Sequence, residues 1–241
     1  MWPIFIKELH SFLDSLMGYM VMAVFLSSLG LLLWVFPESS LLSYGYADMS
    51  AFFGLCPYVL IFLIPAITMR SYAEERRLRT LELLFTAPVS VSEVVLAKFL
   101  ACCCLLMLCL LPSLVYYGSL YALGNPVGNI DSAQVAGGYL GLLLLGAAFC
   151  AIGQSSSALC TNQLVAFVLS AFVCFMSYFG LSALASADIW GWQGKFAELL
   201  SLSYHYDALG RGVIDLQEVV FFAGFTSFFL LLTYQIMQQK R

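Results

Sequence analysis

Residues 99–117 read FLACCCLLMLCLLPSLVYY, a run of 19 residues without a charged side chain. An α-helix needs about 20 such residues to cross the hydrocarbon core of a bilayer. The run contains Pro112, which removes one helical hydrogen bond, and a bundle of membrane helices can tolerate that loss. This stretch therefore predicts a membrane-spanning helix.

Five further runs of similar length and composition flank it. Across the chain 62% of the residues are hydrophobic and 10% are charged, whereas a soluble domain carries about 25% charged residues. The runs use up most of the 241 residues, so the sequence predicts a single all-α polytopic membrane domain over 1–241. The six predicted transmembrane helices are 17–36, 51–69, 99–117, 135–153, 164–184 and 219–234.

The placement of lysine and arginine predicts that both termini are cytoplasmic. With the amino terminus inside, eight of the ten basic residues fall on the inner side, and the link 70–98 alone holds five. Residues 1–16 alternate apolar and charged side chains and predict an interfacial helix on that side. Residues 185–218 form a long exterior link, whose aromatic residues predict a helical loop at the membrane surface.

The cytoplasmic link begins RSYAEERRLRTLELLFTAP at residues 70–88. Its apolar residues recur at helical spacing and predict an amphipathic helix. Arg70 with Glu74, and Glu75 with Arg79, stand four residues apart with opposite charge, a spacing that supports a helix. This link is therefore predicted to be a short charged helix between two spans.

Pro88 ends the pattern, and Ser90 with Glu93 then matches a capping box. We predict that a new helix starts there and enters the third span. The link as a whole is typical either of a solvated positive-inside anchor or of a docking surface for a soluble partner. Its apolar and charged stripes suit a groove in another protein, but the residues alone leave both interpretations open.

The run 70–88, with its core Thr80-Leu81-Glu82-Leu83-Leu84, resembles the ABC type-2 transporter permeases, most closely the permease subunits associated with gliding motility. A second match is LSYHYDALGRGVID at 202–215, before the sixth span. Span count and loop placement also agree, so the resemblance covers essentially the whole chain. One departure is Arg79, where many relatives have glycine before the Thr-Leu-Glu run.

The resemblance implies an ABC type-2 exporter-like permease fold in which 70–98 is a coupling segment that sits in a cleft of an ABC ATPase subunit. Polar residues of the segment would contact that cleft, and apolar residues would pack into it. The candidate coupling residues are Glu74, Glu75, Arg76, Arg77, Leu81, Glu82, Leu84 and Phe85.

ATP hydrolysis is expected on the partner, because the chain has no G-x-x-x-x-G-K-[ST] phosphate loop. We therefore expect a transport subunit and not an enzyme, with ATP and Mg²⁺ on the ATPase and no cofactor on this chain. The predicted spans also lack the ionisable side chains that gradient-driven carriers use as proton or ion relays.

The resemblance further implies a second permease subunit, which is either identical to this one or a relative with a large exterior domain. The transporter would be an exporter of the bacterial inner membrane. The lipid membrane is the remaining partner, and no nucleic acid is expected.

Two other groups of residues are candidates for function. Gly137 and Gly141 have the G-x-x-x-G spacing that lets membrane helices approach closely, within the subunit or between subunits. In the exterior link, a charge pair at i, i+4 either stabilises a short helix or closes the exterior mouth as a gate. The exterior gate candidates are His205, Tyr206, Asp207 and Arg211.

Three alternatives compete with the permease interpretation. Residues 74–79 match the E-E-x-x-x-R pattern of membrane-embedded glutamic proteases, but His10 and His205 are predicted on opposite sides of the membrane. A metal site at 102–104 is disfavoured, because three consecutive helical cysteines point about 100° apart and cannot converge on one ion. A non-transporting scaffold or mechanical subunit of a motility or secretion machine stays open.

Overall fold

The structure is a computed structural model that describes residues 1–35, 48–80, 89–124, 129–186, 199–210, 212 and 215–240. These residues form helices and short connections, with no β-strand among them, which confirms the predicted all-α class. The α-helices are α1 (Trp2–Leu13), α2 (Leu16–Trp34), α3 (Ser50–Thr68), α4 (Arg70–Arg77), α5 (Val91–Leu110), α6 (Leu114–Leu123), α7 (Ser132–Leu159), α8 (Gln163–Phe175), α9 (Leu181–Ser186), α10 (Leu202–Leu209) and α11 (Leu216–Gln239).

Five helical segments of the described chain are long and apolar enough to cross a membrane. They are Ser50–Arg77, Val91–Leu123, Ser132–Leu159, Gln163–Ala183 and Leu216–Gln239. A sixth candidate is the pair formed by α1 and the Gly18–Trp34 part of α2, which is bent by 65°. The described residues therefore form a polytopic helical protein with five or six candidate spans, which agrees with the six predicted apolar runs.

Two helices begin before the predicted apolar runs, and one of them begins at a capping box. α5 starts after Ser90, which forms the predicted capping box with Glu93, and this confirms the predicted helix start. As a result Lys98 lies inside α5. α11 similarly starts at Leu216, so Glu218 lies inside its first turn. Lys98 and Glu218 thus lie inside long helices, although both fall outside the predicted apolar runs.

Two of the described spans contain a 3₁₀ or π-helical turn. Pro112 lies in a 3₁₀ turn, Leu111–Ser113, between α5 and α6, because proline lacks the N–H group that an α-helix needs. The π-helical turn Met176–Gly180 separates α8 from α9 in the fifth span. Turns of this kind are points of local bending and are frequent at functional sites.

α7 is the central helix of the described structure. In the most apolar part of α7, 67% of the residues are buried, compared with 11% in α11. α7 contacts α3, α4, α5, α8, α10 and α11. Glycines permit these close approaches: a Cβ added at Gly138 would lie 2.6 Å from the ring of Phe53. α7 therefore positions the chain segments at both ends of the bundle.

Candidate coupling site

α4 follows α3 with only Met69 between them, at the end of the bundle that is predicted to face the cytoplasm. Thr68 favours a break here, because its hydroxyl donates to the carbonyl four residues back at 2.9 Å and such bonds bend helices. α4 ends at Arg77, and Arg79 has a left-handed φ of 57°. The predicted continuous helix is therefore interrupted after Arg77.

Ser157 of α7 holds the junction between α3 and α4. The backbone N–H groups of Tyr72 and Ala73 donate to its hydroxyl oxygen at 3.0 and 3.2 Å. The same hydroxyl donates to the carbonyl oxygen of Met69 at 3.1 Å. The first N–H groups of one helix and the last carbonyls of the preceding helix have no partner within their own helices. One serine side chain therefore satisfies both sides of the break.

A second contact joins α4 to the carboxyl end of α7. Arg76 donates to the carbonyl of Ala158 and, at 3.3 Å, to that of Leu159. Lys240, which follows α11, donates to the Ala158 carbonyl at 3.0 Å. The last carbonyls of a helix carry partial negative charge and attract cations. Burial, and then the nearby Arg76, lower the pKa of Lys240. α4 and α11 are therefore fixed to the same end of α7.

Lys98 is the centre of a third contact, and its side chain is 1% exposed. Its Nζ lies 2.7 Å from Glu8 Oε1 and 3.1 Å from Glu75 Oε1, and it donates to the Ser71 carbonyl at 2.7 Å. Lys7 Nζ lies 3.3 Å from the same Glu75 oxygen. A buried ammonium group is stable only when it is paired and hydrogen-bonded. This cluster therefore joins α1, α4 and α5.

The two charge pairs predicted within the link have different outcomes. Arg70 Nε and Glu74 Oε2 lie 3.8 Å apart, which confirms the first pair. The second pair is wrong, because Glu75 is paired with Lys98 and not with Arg79. The physical reason is that α4 ends before residue 79, so the helical i, i+4 spacing no longer brings the two side chains together.

Of the remaining predicted coupling residues, two lie in α4 and four are outside the described part of the chain. Arg76 faces inward onto α7, whereas Arg77 is exposed. Leu81, Glu82, Leu84 and Phe85 lie outside the described residues. Lys98 and Ser157 are contact residues that the sequence pattern does not predict. A lysine at the entry of an apolar helix is a usable signal, since it needs an anionic partner. A serine gives no such signal, because its partners come from distant segments.

At the opposite end of the bundle, α10 packs against α7 and the start of α3. The Tyr206 hydroxyl donates to the carbonyl oxygen of Phe53 at 2.8 Å. A Cβ added at Gly141 would lie 3.3 Å from the Tyr206 ring, and one at Gly137 would lie 2.7 Å from the Leu209 carbonyl. Both predicted packing glycines thus face α10 of the same chain.

His205 joins α10 to α11. Its Nδ1 contacts the carboxylate of Glu218, and its Nε2 lies 2.8 Å from the Leu199 carbonyl. A carbonyl only accepts, so Nε2 is the donor in the contact with Leu199. Of the other gate candidates, Asp207 is exposed and Arg211 lies outside the described residues. The role of these residues as an exterior gate stays a prediction.

The glutamates of the protease-like pattern have other partners. In the part of the chain that the structure describes, Glu74 pairs with Arg70, and Glu75 pairs with Lys7 and Lys98, and neither pairs with a histidine. Among the same residues, no three His, Cys, Asp or Glu side chains are placed to hold a metal ion. Glu75 therefore joins α4 to α1 and α5, whereas Glu74 pairs within α4.

Comparison with known proteins agrees with this architecture. The family model of the ABC-2 family transporter proteins matches residues 35–203, which is more than half of the chain. The match begins at residue 35, just after α2, runs into α10 and includes the link between α4 and α5. No curated protein matches the sequence. The chain therefore belongs to the ABC-2 transporter family and is a multi-pass membrane permease subunit of an ABC transporter.

Proposed function

We propose that this permease is powered by a separate ABC ATPase subunit that docks on the coupling segment 70–98. The observation that carries the proposal is the position of α4. It is joined to α1 and α5 through Lys98 and to α7 through Ser157 and Arg76. The residues that follow it, 78–80, are exposed. A force applied to the segment is thereby passed to several membrane helices at once.

The proposed mechanism is a change of helix packing driven by the partner. Closure of the ATPase dimer on ATP displaces α4, and α3 and α7 move with it because Ser157 bonds to both sides of the junction. The 3₁₀ turn Leu111–Ser113 and the π-helical turn Met176–Gly180 are places where the spans can bend. ATP and Mg²⁺ stay on the ATPase, and this chain supplies the pathway wall.

A second permease completes the proposed transporter. The Gln163–Ala183 and Leu216–Gln239 spans are 22% and 11% buried within the chain, which leaves wide apolar faces for lipid or another subunit. We propose that this subunit is identical or is a relative with a large exterior domain. The resemblance of segments 70–88 and 202–215 supports an exporter of the bacterial inner membrane that is associated with gliding motility.

The first experiment is co-purification in detergent of this chain with a co-expressed candidate ABC ATPase. The test variant is Leu81→Asp with Phe85→Asp, and the matched control is Leu199→Asp with Leu200→Asp, at two exposed leucines far along the chain. Wild type and control are expected to retain the ATPase, whereas the test variant loses it. A correctly inserted wild type that retains no ATPase would sink the proposal. A second measurement distinguishes a transporter from a mechanical scaffold: a transported molecule stimulates ATP hydrolysis by the complex only if the complex is a transporter.

A further inference from the structure

Two cysteine side chains from different spans meet in the interior of the bundle. Cys102 belongs to α5 and Cys150 to α7, 48 positions later in the chain. The Cys102 thiol donates to the Cys150 sulfur, and the two Sγ atoms are 2.7 Å apart. The sulfurs of a disulfide are about 2.05 Å apart, so a movement of less than about 1 Å would bring these two within bonding distance. The two thiols are therefore placed to form a covalent bond between α5 and α7.

A cavity gives one of these thiols a route to small molecules. The cavity has a volume of about 400 Å³, lies among α1, α3, α4, α5 and α7 at the predicted cytoplasmic end, and has Cys102 in its lining. Cys150 does not line it and is 0% exposed. A molecule that enters the cavity therefore meets Cys102, while Cys150 stands behind it in the core.

This arrangement is typical of redox-active thiol pairs. In such pairs an accessible cysteine is oxidised first, and a neighbouring cysteine then resolves the oxidised sulfur into a disulfide. The cytoplasm keeps thiols reduced, so a disulfide at the predicted cytoplasmic end would form only while an oxidant is present. Hydrogen peroxide suits this cavity as the oxidant, because it is small and uncharged and needs no ionic partner among side chains that are already paired with one another.

We propose that Cys102 and Cys150 are a modification site that hydrogen peroxide converts into a disulfide. The Cys102 sulfur attacks one peroxide oxygen, the O–O bond breaks, and the other oxygen leaves as water with the Cys102 thiol proton. The Cys150 sulfur then attacks the resulting sulfenic acid, an S–S bond forms, and the sulfenic hydroxyl leaves as water with the Cys150 proton. Two thiols thus lose two electrons, and one peroxide is reduced to two water molecules.

The bond would join two helices that both hold α4. α5 carries Lys98, which pairs with Glu75 of α4, and α7 carries Ser157, which accepts from the first turn of α4. A disulfide between α5 and α7 fixes these two contacts relative to each other until a reductant opens it. The formation of the disulfide rests on the permease chain alone, whereas any effect on ATP-driven movement rests on the proposed function.

The test treats purified full-length protein in detergent with hydrogen peroxide and then blocks the remaining thiols with N-ethylmaleimide in denaturant. Chymotrypsin cleaves after leucine and aromatic residues, so complete digestion gives the separate peptides 101–105 and 150–159. Without reductant, we expect these two peptides as one species that lacks two hydrogen atoms, and dithiothreitol should separate them. Peroxide-treated wild type without this species would overturn the proposal, and no variant is needed for that result.

Cys102→Ser assigns the bond, because peptide 101–105 contains three thiols. Cys103→Ser is the matched control, since the Cys103 thiol is also close to Cys150. The linked species should fall at least about tenfold in the first variant and persist in the second. Its retention in Cys102→Ser, or its loss in Cys103→Ser, would refute the assigned pair.

A second measurement tests the connection between the helices. Peroxide should raise the unfolding temperature of wild type by roughly 4 °C or more, because a disulfide restricts the unfolded chain, and dithiothreitol should reverse the rise. The unfolding temperature of Cys102→Ser should not respond to peroxide. An unchanged unfolding temperature in protein that carries the linked peptides would refute the proposed fixing of α5 to α7.

Discussion

The hydroxyl of Tyr206 donates a hydrogen bond of 2.8 Å to the carbonyl oxygen of Phe53, the residue four positions before Pro57. In an α-helix that carbonyl accepts from the N–H of residue 57, and proline has no such group. A residue of the predicted exterior link, 153 positions away in sequence, thus satisfies a carbonyl that the second span leaves without its helical donor. This bond fixes α10 to α3.

The first prediction is a dependence of Tyr206 on Pro57. Tyr206→Phe should lower the free energy of unfolding by about 1 kcal/mol or more, because a buried carbonyl loses its donor. In a Pro57→Ala background the helix supplies its own N–H, so the same change should have a smaller effect. Thermal unfolding in detergent measures the double-mutant cycle, with Tyr204→Phe, at a partly exposed tyrosine, as control. Additive effects of the two substitutions would contradict this relationship.

The second prediction concerns alkaline pH. Burial, and then nearby Cys56, Tyr178 and Asp207, raise the pKa of the Tyr206 hydroxyl well above its ordinary value of 10.0. The stabilising contribution of this neutral hydroxyl is fully present below the unfolded-state pKa and declines as pH rises through that value. The stability advantage of wild type over Tyr206→Phe should therefore be constant from pH 7 to about 9 and shrink above about 10. A difference that grows with pH would contradict the assigned cause.

The third prediction tests the junction between α3 and α4. Ser157→Ala removes an acceptor for two N–H groups and a donor for one carbonyl, so it should lower the free energy of unfolding by about 1–3 kcal/mol. Ser156→Ala is the matched control, since the Ser156 hydroxyl donates only within its own helix, to Ile152. Unfolding temperatures of the two purified variants give the comparison. Equal temperatures would show that the junction does not depend on Ser157.

The fourth prediction concerns the buried lysine. Lys98→Met leaves Glu8 and Glu75 without their shared cation, which should destabilise the fold by about 3–5 kcal/mol. Lys7→Met removes an exposed lysine from the same cluster and should cost no more than about 1 kcal/mol. Adding Glu8→Gln and Glu75→Gln to Lys98→Met should restore much of the loss, because no unpaired charge stays buried. Denaturant titration of the purified proteins measures all three, and failure of the restoring changes would exclude charge pairing as the cause.

The fifth prediction concerns Arg79, which follows α4. Arg79 has φ 57°, a conformation that glycine adopts without steric cost. Arg79→Gly should stabilise the end of α4 by about 1 kcal/mol, whereas Arg79→Ala keeps a Cβ and should not. Hydrogen–deuterium exchange over residues 70–80 should become slower only in the glycine variant. Equal exchange in the two variants would rule out backbone strain at this position.

Much of the fold follows from the sequence. The apolar runs predict the spans, because bilayer thickness fixes the length of a crossing helix, and Ser90 with Glu93 predicts the start of α5. The positions of Gly137 and Gly141 also indicate a helix face that packs closely, although their spacing does not indicate which helix packs against it. Helix ends beyond the apolar runs are less predictable, because polar residues such as Glu218 enter a helix only when a distant partner satisfies them.

By itself, the sequence determined that this protein spans a membrane as a helical bundle and that a charged segment separates two of its spans. Only the tertiary structure decided which residues pair with the charged side chains of that segment. Glu75 and Lys98 are 23 residues apart in the chain and pair inside the bundle, while Ser157 reaches the junction between α3 and α4 from a later span. Helical periodicity is a local property that sequence displays. Satisfaction of buried charges and of orphaned backbone groups depends on which distant segments meet, and helix packing alone decides that.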